Sequence, residues 1–187
     1  MSGAFVASYV ALWFLAVVEF VAIFALYNHF GQMALSSREG RTQQGPPEGL
    51  PLRRSDLQDV RRRLISLPAS SASLILFTST DCRPCEQLLP DIAAVSAARD
   101  ELGLIVICKG RENEVEEWAR PLDSSVVLVA DPEHEISSRY GIGITPFCLA
   151  TDASGVVRGK GVVNNANDLD LQAARALGVQ PVQAGAA

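Results

Sequence analysis

The apolar positions of this chain follow two different patterns. From Phe5 to Leu26 they form an almost unbroken run of 22 residues with one charge, Glu19. As a helix that run would be about 33 Å long, enough to cross a hydrocarbon layer of roughly 30 Å. Residues 5–26 are therefore expected to lie in a membrane, making residues 1–30 a single-span anchor. A cleaved leader fits less well, because no Lys or Arg precedes the run and no small-x-small site follows it. Tyr9, Trp13 and Tyr27 are candidate interface residues, and His29 lies just past the span. An ionised acid in mid-span costs roughly 2.5–3.5 kcal/mol, so Glu19 reads either as a tolerated, protonated acid or as a contact to a membrane partner.

Beyond residue 30 the apolar positions come in short blocks. Residues 31–54 are polar, rich in Gly, Pro, Gln and Ser, and predict a flexible linker. Ser55 with Gln58 three residues on is a capping-box pattern and predicts a helix to about Leu64. "SLILFTS" (73–79) predicts a buried strand, and residues 82–99 a helix with Leu88, Leu89, Ile92 and Val95 on one face. "LGLIVIC" (102–108) and "SVVLVA" (125–130) predict further strands. "ENEVEEWARPL", stopped by Pro121, and "PEHEISSRYG" predict the helices that follow them. "PFCLAT" (146–151) and "VVRGKGVV" (156–163) predict two strands joined by the glycine turn "DASG". "NDLDLQAARAL" (167–177) predicts a last helix, and residues 178–187 a disordered tail. Strands alternating with helices predict an α/β domain over residues 55–177, its central mixed sheet flanked by helices.

Composition narrows the partners. The 187 residues are 20% charged and 48% hydrophobic, which suits one domain with an apolar appendage. A net charge of −5 gives no sign of a nucleic-acid partner. Four cysteines are too few for a secreted disulfide framework. Cys108 and Cys148 stand inside apolar runs and read as small buried hydrophobes, while the solitary His134 reads as a surface residue.

Only Cys82 and Cys85, in "TDCRPCEQLLP", form a motif. Three readings fit that spacing: a redox dithiol, half of a metal site, or a structural pair. Zinc would need two more Cys or His, and no other pair has ligand spacing, so no metal is expected. The dithiol reading has a physical basis. A cysteine at a helix N-terminus faces unpaired backbone N–H groups and the positive end of the macrodipole, which stabilise its thiolate. Cys82 would attack, and Cys85, one turn further in, would resolve the mixed disulfide. Arg83 favours the thiolate, Asp81 opposes it, and Pro84 suits the first turn, where its missing N–H needs no partner. The disulfide is itself the redox group, so no separate cofactor is expected.

The strand "LILFTST", the motif "CRPC", Pro90 five residues after Cys85, and "YGIGITPF" far downstream together resemble the thioredoxin superfamily. The resemblance runs from about Leu74 to Leu177. Within the superfamily the chain is similar to the TlpA-like, membrane-anchored thiol-disulfide oxidoreductases, and among these to the MauD group of methylamine utilization. The resemblance implies a thioredoxin-like fold, a cis peptide bond before Pro146, and a substrate chain bound against Thr145 and Pro146. It implies a protein substrate with thiols or a disulfide, such as an exported protein of the methylamine-dehydrogenase type, and a membrane redox partner.

Three departures stand out. Asp81 replaces the tryptophan common before the first cysteine, and Leu76 stands where thioredoxins bury an aspartate. The opening β-hairpin of TlpA-like domains is expected to be absent, its place taken by the helix after Ser55. Two further readings stay open. One is a non-catalytic assembly factor using the same groove. The other is a thiol peroxidase, since "STDC" resembles the peroxiredoxin motif Pro-x-x-x-Thr-x-x-Cys with Ser79 at the Thr position but Ile75 at the Pro position. Arg38, Arg41, Arg53 and Arg54 after the span argue for a cytoplasmic domain. Disulfide chemistry and the resemblance argue for an extracytoplasmic one, which is the expectation here.

Overall fold

The structure, a computed structural model, describes residues 3, 8–10, 12–21, 23 and 44–180. The chain divides into two units, residues 1–40 and 41–187. In the first, residues 8–10 and 12–21 are helical with exposed apolar side chains, and Tyr9 meets Trp13 edge to face at 6.5 Å. Among the described residues no helix is long and apolar enough to cross a membrane, and the remainder of the expected span lies outside them.

The second unit is built on a five-stranded sheet. Its strands are β3 (Ser73–Ser79), β4 (Gly103–Lys109), β5 (Val127–Ala130), β6 (Phe147–Thr151) and β7 (Val157–Val162). Their order is β5-β4-β3-β6-β7. β3, β4 and β5 run parallel, while β6 is antiparallel to both β3 and β7. All seven residues of the central strand β3 are buried, as expected of a strand covered on both faces. Alternation sorts its side chains: Leu74 and Leu76 enter one core, Ile75 and Phe77 the other. The first core takes Ile92, Val115, Leu169 and Ala173 from the helices. The second takes Leu52, Leu57, Leu67, Tyr140 and Ile142. This is the thioredoxin-like α/β arrangement expected.

The region after Ser55 departs from the expectation. It forms a β-hairpin, β1 (Ser55–Gln58) with β2 (Leu64–Leu67), and not a helix. The opening hairpin expected to be missing is therefore present. The apparent capping box was a coincidence of spacing, because Ser55 and Leu57 are buried and Asp56 and Gln58 exposed, a period of two. The buried Asp59 closes the loop, accepting from the Arg63 backbone N–H at 2.7 Å and from its Nε at 2.6 Å. Arg62 takes the left-handed conformation, φ 64°. Val60 N–H then donates to Leu128 O at 2.9 Å, tying the loop to β5.

The helix expected over 82–99 is two: α1 (Arg83–Gln87) and α2 (Leu89–Ala98). Pro90 has no N–H to continue the first ladder, so the chain breaks at Leu88. The other helices are α3 (Glu112–Trp118), α4 (Glu135–Arg139) and α5 (Ala166–Leu177). Residues 44–52, the end of the stretch read as a linker, are bonded to the sheet. Gly49 N–H donates to Val157 O at 2.8 Å, Val157 N–H to Leu50 O at 3.0 Å and Leu52 N–H to Gly155 O at 2.8 Å.

Candidate active site

The site grows from the C-terminal end of β3. Cys82 follows that strand and caps α1. Its backbone is extended, and its O accepts from Cys85 N–H at 2.9 Å and Glu86 N–H at 3.1 Å. Cys82 and Cys85 form a disulfide with Cα atoms 5.2 Å apart. Cys85 N–H is shared, donating also to Cys82 Sγ at 3.2 Å, a contact that favours a thiolate at a helix start. Cys82 is half-buried, whereas Cys85 has no exposed surface. Arg83 and Pro84, between them, are exposed, and Arg83 makes no ion pair among the described residues.

A hollow of about 300 Å³ lies beside α1, lined by Pro84, Ile144, Thr145, Pro146, Val162 and Asn164. The Thr145–Pro146 peptide is cis. The structure thus brings together the motif helix and the Thr145–Pro146 segment, sixty residues apart in sequence, as expected. Thr145 makes no backbone hydrogen bond among the described residues, so its N–H and C=O are free for a bound chain. A larger hollow, about 540 Å³, lies at the other end of the sheet among Ser71, Gly103, Leu104 and neighbours. No residue of the cysteine motif lines it, whereas Pro84, between the two cysteines, lines the smaller one.

Sequence reasoning missed Ile144, Val162 and Asn164. The signal was available. β6 and β7 are antiparallel, so the start of one must lie beside the end of the other, placing "VNN" next to "TPF".

Cys108 and Cys148 are buried free thiols in β4 and β6. Burial, with the charge of Asp81 adding to it, pushes the Cys108 thiol up to about 11. Burial alone pushes Cys148 higher still. Both are protonated hydrophobes at neutral pH. Leu76, paired between Val106 and Cys148, is fully buried, so this position of the central strand carries no carboxylate. His134 takes the left-handed conformation just before α4. Among the described residues no group of three His, Cys, Asp or Glu is placed to hold a metal ion.

A half-exposed sulfur bonded to a buried one at a helix start, beside an open peptide groove, is the arrangement of a thiol-disulfide oxidoreductase. Comparison with known proteins agrees. Residues 51–166 match the AhpC/TSA family. The chain belongs to that family. It is 36% identical over 94 residues to the methylamine utilization protein MauD of Methylobacillus flagellatus, covering 49% of this chain and 44% of that one. It is 26% identical over 170 residues to MauD of Paracoccus versutus, covering 88% and 85%. Among solved structures it resembles a Chlorobium tepidum protein assigned as thiol:disulfide interchange protein DsbE. That match has TM-score 0.62 and 17% identity, covering 70% of this chain and 97% of that one. StoA of Bacillus subtilis matches with TM-score 0.53 and 19% identity, covering 66% and 96%. At these identities the structural likenesses establish the thioredoxin-like fold.

Proposed function

We propose that the protein is a membrane-tethered thiol-disulfide oxidoreductase that exchanges disulfides with a partner protein outside the cytoplasm. The observation that carries the reading is the half-exposed Cys82 bonded to the fully buried Cys85 at the start of α1. In the reducing direction, the Cys82 thiolate attacks one sulfur of a partner disulfide and the other leaves as thiolate. The Cys85 thiolate then attacks Cys82 Sγ, releasing the second partner thiolate and forming the Cys82–Cys85 disulfide. The oxidising direction is the same sequence reversed. A couple poised near about −270 mV would serve as reductant, and one near about −120 mV as oxidant.

Likeness to MauD proteins over most of the chain supports a substrate of the methylamine-dehydrogenase type, matured after export. The 22-residue apolar run supports the tether and a membrane redox partner. Thr145 and Pro146 would hold the partner chain, with Arg83 favouring the Cys82 thiolate. A peroxidase reading has less support, because the position its motif gives to proline is Ile75, paired on both sides within β3. Substitution Cys82→Ser tests the proposal. It should abolish insulin reduction and partner maturation together, and maturation at the parent level in that variant would replace the enzyme by a non-catalytic assembly factor.

A further inference from the structure

The groove beside the dithiol has apolar walls from Pro84, Ile144, Pro146 and Val162. Two of its lining residues offer peptide-like polar groups. One is Thr145, whose backbone is unpaired among the described residues. The other is Asn164, exposed, two residues past the end of β7.

Local bonding leaves the Asn164 side chain with nothing to hold. Its backbone N–H donates to Asp168 Oδ2 at 2.8 Å. The neighbouring Asn165 supplies the helix cap, its Oδ1 accepting from Asp168 N–H at 3.0 Å. This reciprocal pair fixes how the chain enters α5 without the Asn164 carboxamide. That carboxamide has no hydrogen-bond partner among the described residues.

A carboxamide presents one acceptor oxygen and two N–H donors, the complement of the C=O and N–H of a peptide unit. Resting on the oxidoreductase reading, we propose that Asn164 is a substrate-contact residue. Its carboxamide hydrogen-bonds the main chain of an extended partner segment that lies across Thr145 and delivers its cysteine sulfur to Cys82. Asn164 thereby favours polypeptide disulfides over small ones, whatever the side chains next to the cysteine. Asn164 is exposed in the free protein, so the bond replaces one to water and its net worth is that of an ordinary hydrogen bond.

The test uses the full chain in detergent with Cys85→Ser, so that the reaction stops at the first exchange. The probe is a short linear peptide whose one cysteine is held in an aryl mixed disulfide. Cys82 thiolate attacks the peptide sulfur, a peptide–Cys82 disulfide forms, and the aryl thiolate leaves and is read by absorbance. The control is the symmetric diaryl disulfide, with the same leaving group and no main chain. Asn164→Ala is expected to slow the peptide reaction about tenfold, the effect of one lost hydrogen bond, and to leave the diaryl reaction unchanged. Asn164→Asp, which keeps the acceptor and loses the donors, should slow the peptide reaction as well.

Both variants retain the backbone N–H that Asp168 accepts, and their melting temperatures in the Cys85→Ser background check that α5 is intact. Equal slowing on both probes would overturn the proposal, because Asn164 would then act on the dithiol itself. Parent rates on both probes would overturn it too. Failure of Cys82 to react with either probe before Asn164 is changed would instead defeat the underlying redox reading.

Discussion

Cys82 and Cys85 sit where a helix begins, and Cys108 and Cys148 sit within strands of the sheet. The element is the same, and the surroundings separate the two pairs. At the helix start the Cys82 sulfur meets a first-turn backbone N–H and some solvent. In β4 and β6 each sulfur meets apolar side chains of the first core, and burial drives the proton onto it. The contrast shows that reactivity here is assigned by backbone position. Cys108 directly precedes Lys109, whose carbonyl oxygen accepts from Thr80 N–H at the edge of the site, yet it is held inside β4 as a free thiol, while the equally buried Cys85 is bonded to Cys82.

The largest effect should come from exchanging roles between the pairs. Cys82→Ala is expected to abolish disulfide exchange, while Cys148→Ala exchanges at the parent rate in the same insulin assay. Equal losses would remove the distinction. A smaller effect is expected at alkaline pH. The Cys108 thiol is held at about 11 when folded, against a reference of 9.0. Its contribution is therefore fully present below pH 9 and is lost as pH rises towards about 11, where the unfolded chain has already released the proton. Loss of the Cys108 contribution should lower the stability of the disulfide-intact protein, read from urea midpoints, by roughly 2–3 kcal/mol over that window, and Cys148 adds a further fall in the same direction. Cys108→Ala should flatten part of the slope.

Cys148→Ser probes the same burial at neutral pH. It places a hydroxyl in the core with no designed partner, and should cost about 1–3 kcal/mol by urea denaturation without changing exchange. The smallest effect is expected at Arg83. It is exposed, so its charge is well screened, and Arg83→Gln should slow alkylation of reduced Cys82 only about two- to threefold at low salt.

Two hairpins explain why some of this was legible in the sequence and some was not. In the β6–β7 turn, Asp152 Oδ1 accepts from Ser154 N–H at 2.9 Å and Val156 N–H at 3.0 Å, and Arg158 Nε donates to Oδ2 at 2.7 Å. Gly155 takes the left-handed position, φ 78°, so the turn advertises itself through residue type. The β1–β2 loop uses the same device, an aspartate bonded to an arginine downstream. Its left-handed position is filled by Arg62, which carries no turn signal. Burial raises the Asp59 carboxyl, and the hydrogen bonds and charge of Arg63 outweigh it, leaving the group below its usual range. That balance is set by tertiary packing and is not readable from spacing. The sheet strands were legible because β3 and β4 are continuous apolar runs. The break at Leu88 needed Pro90 to be weighed against a strong helical face. Cys82, Cys85 and Pro146 were legible through motif. Asn164 was not, because its place depends on which strand ends meet.

The unequal exposure of the two active sulfurs also has a kinetic consequence. With Cys85 sealed from solvent, the proposed exchange captures its partner on Cys82, and capture depends on how often partners arrive. Release does not. In the reducing direction it is carried out by Cys85 of the same chain, fixed in place by α1, so its rate is first order and independent of how much partner is present. The lifetime of the covalent complex is thus a property of the fold, a built-in clock that a crowded or depleted compartment cannot reset.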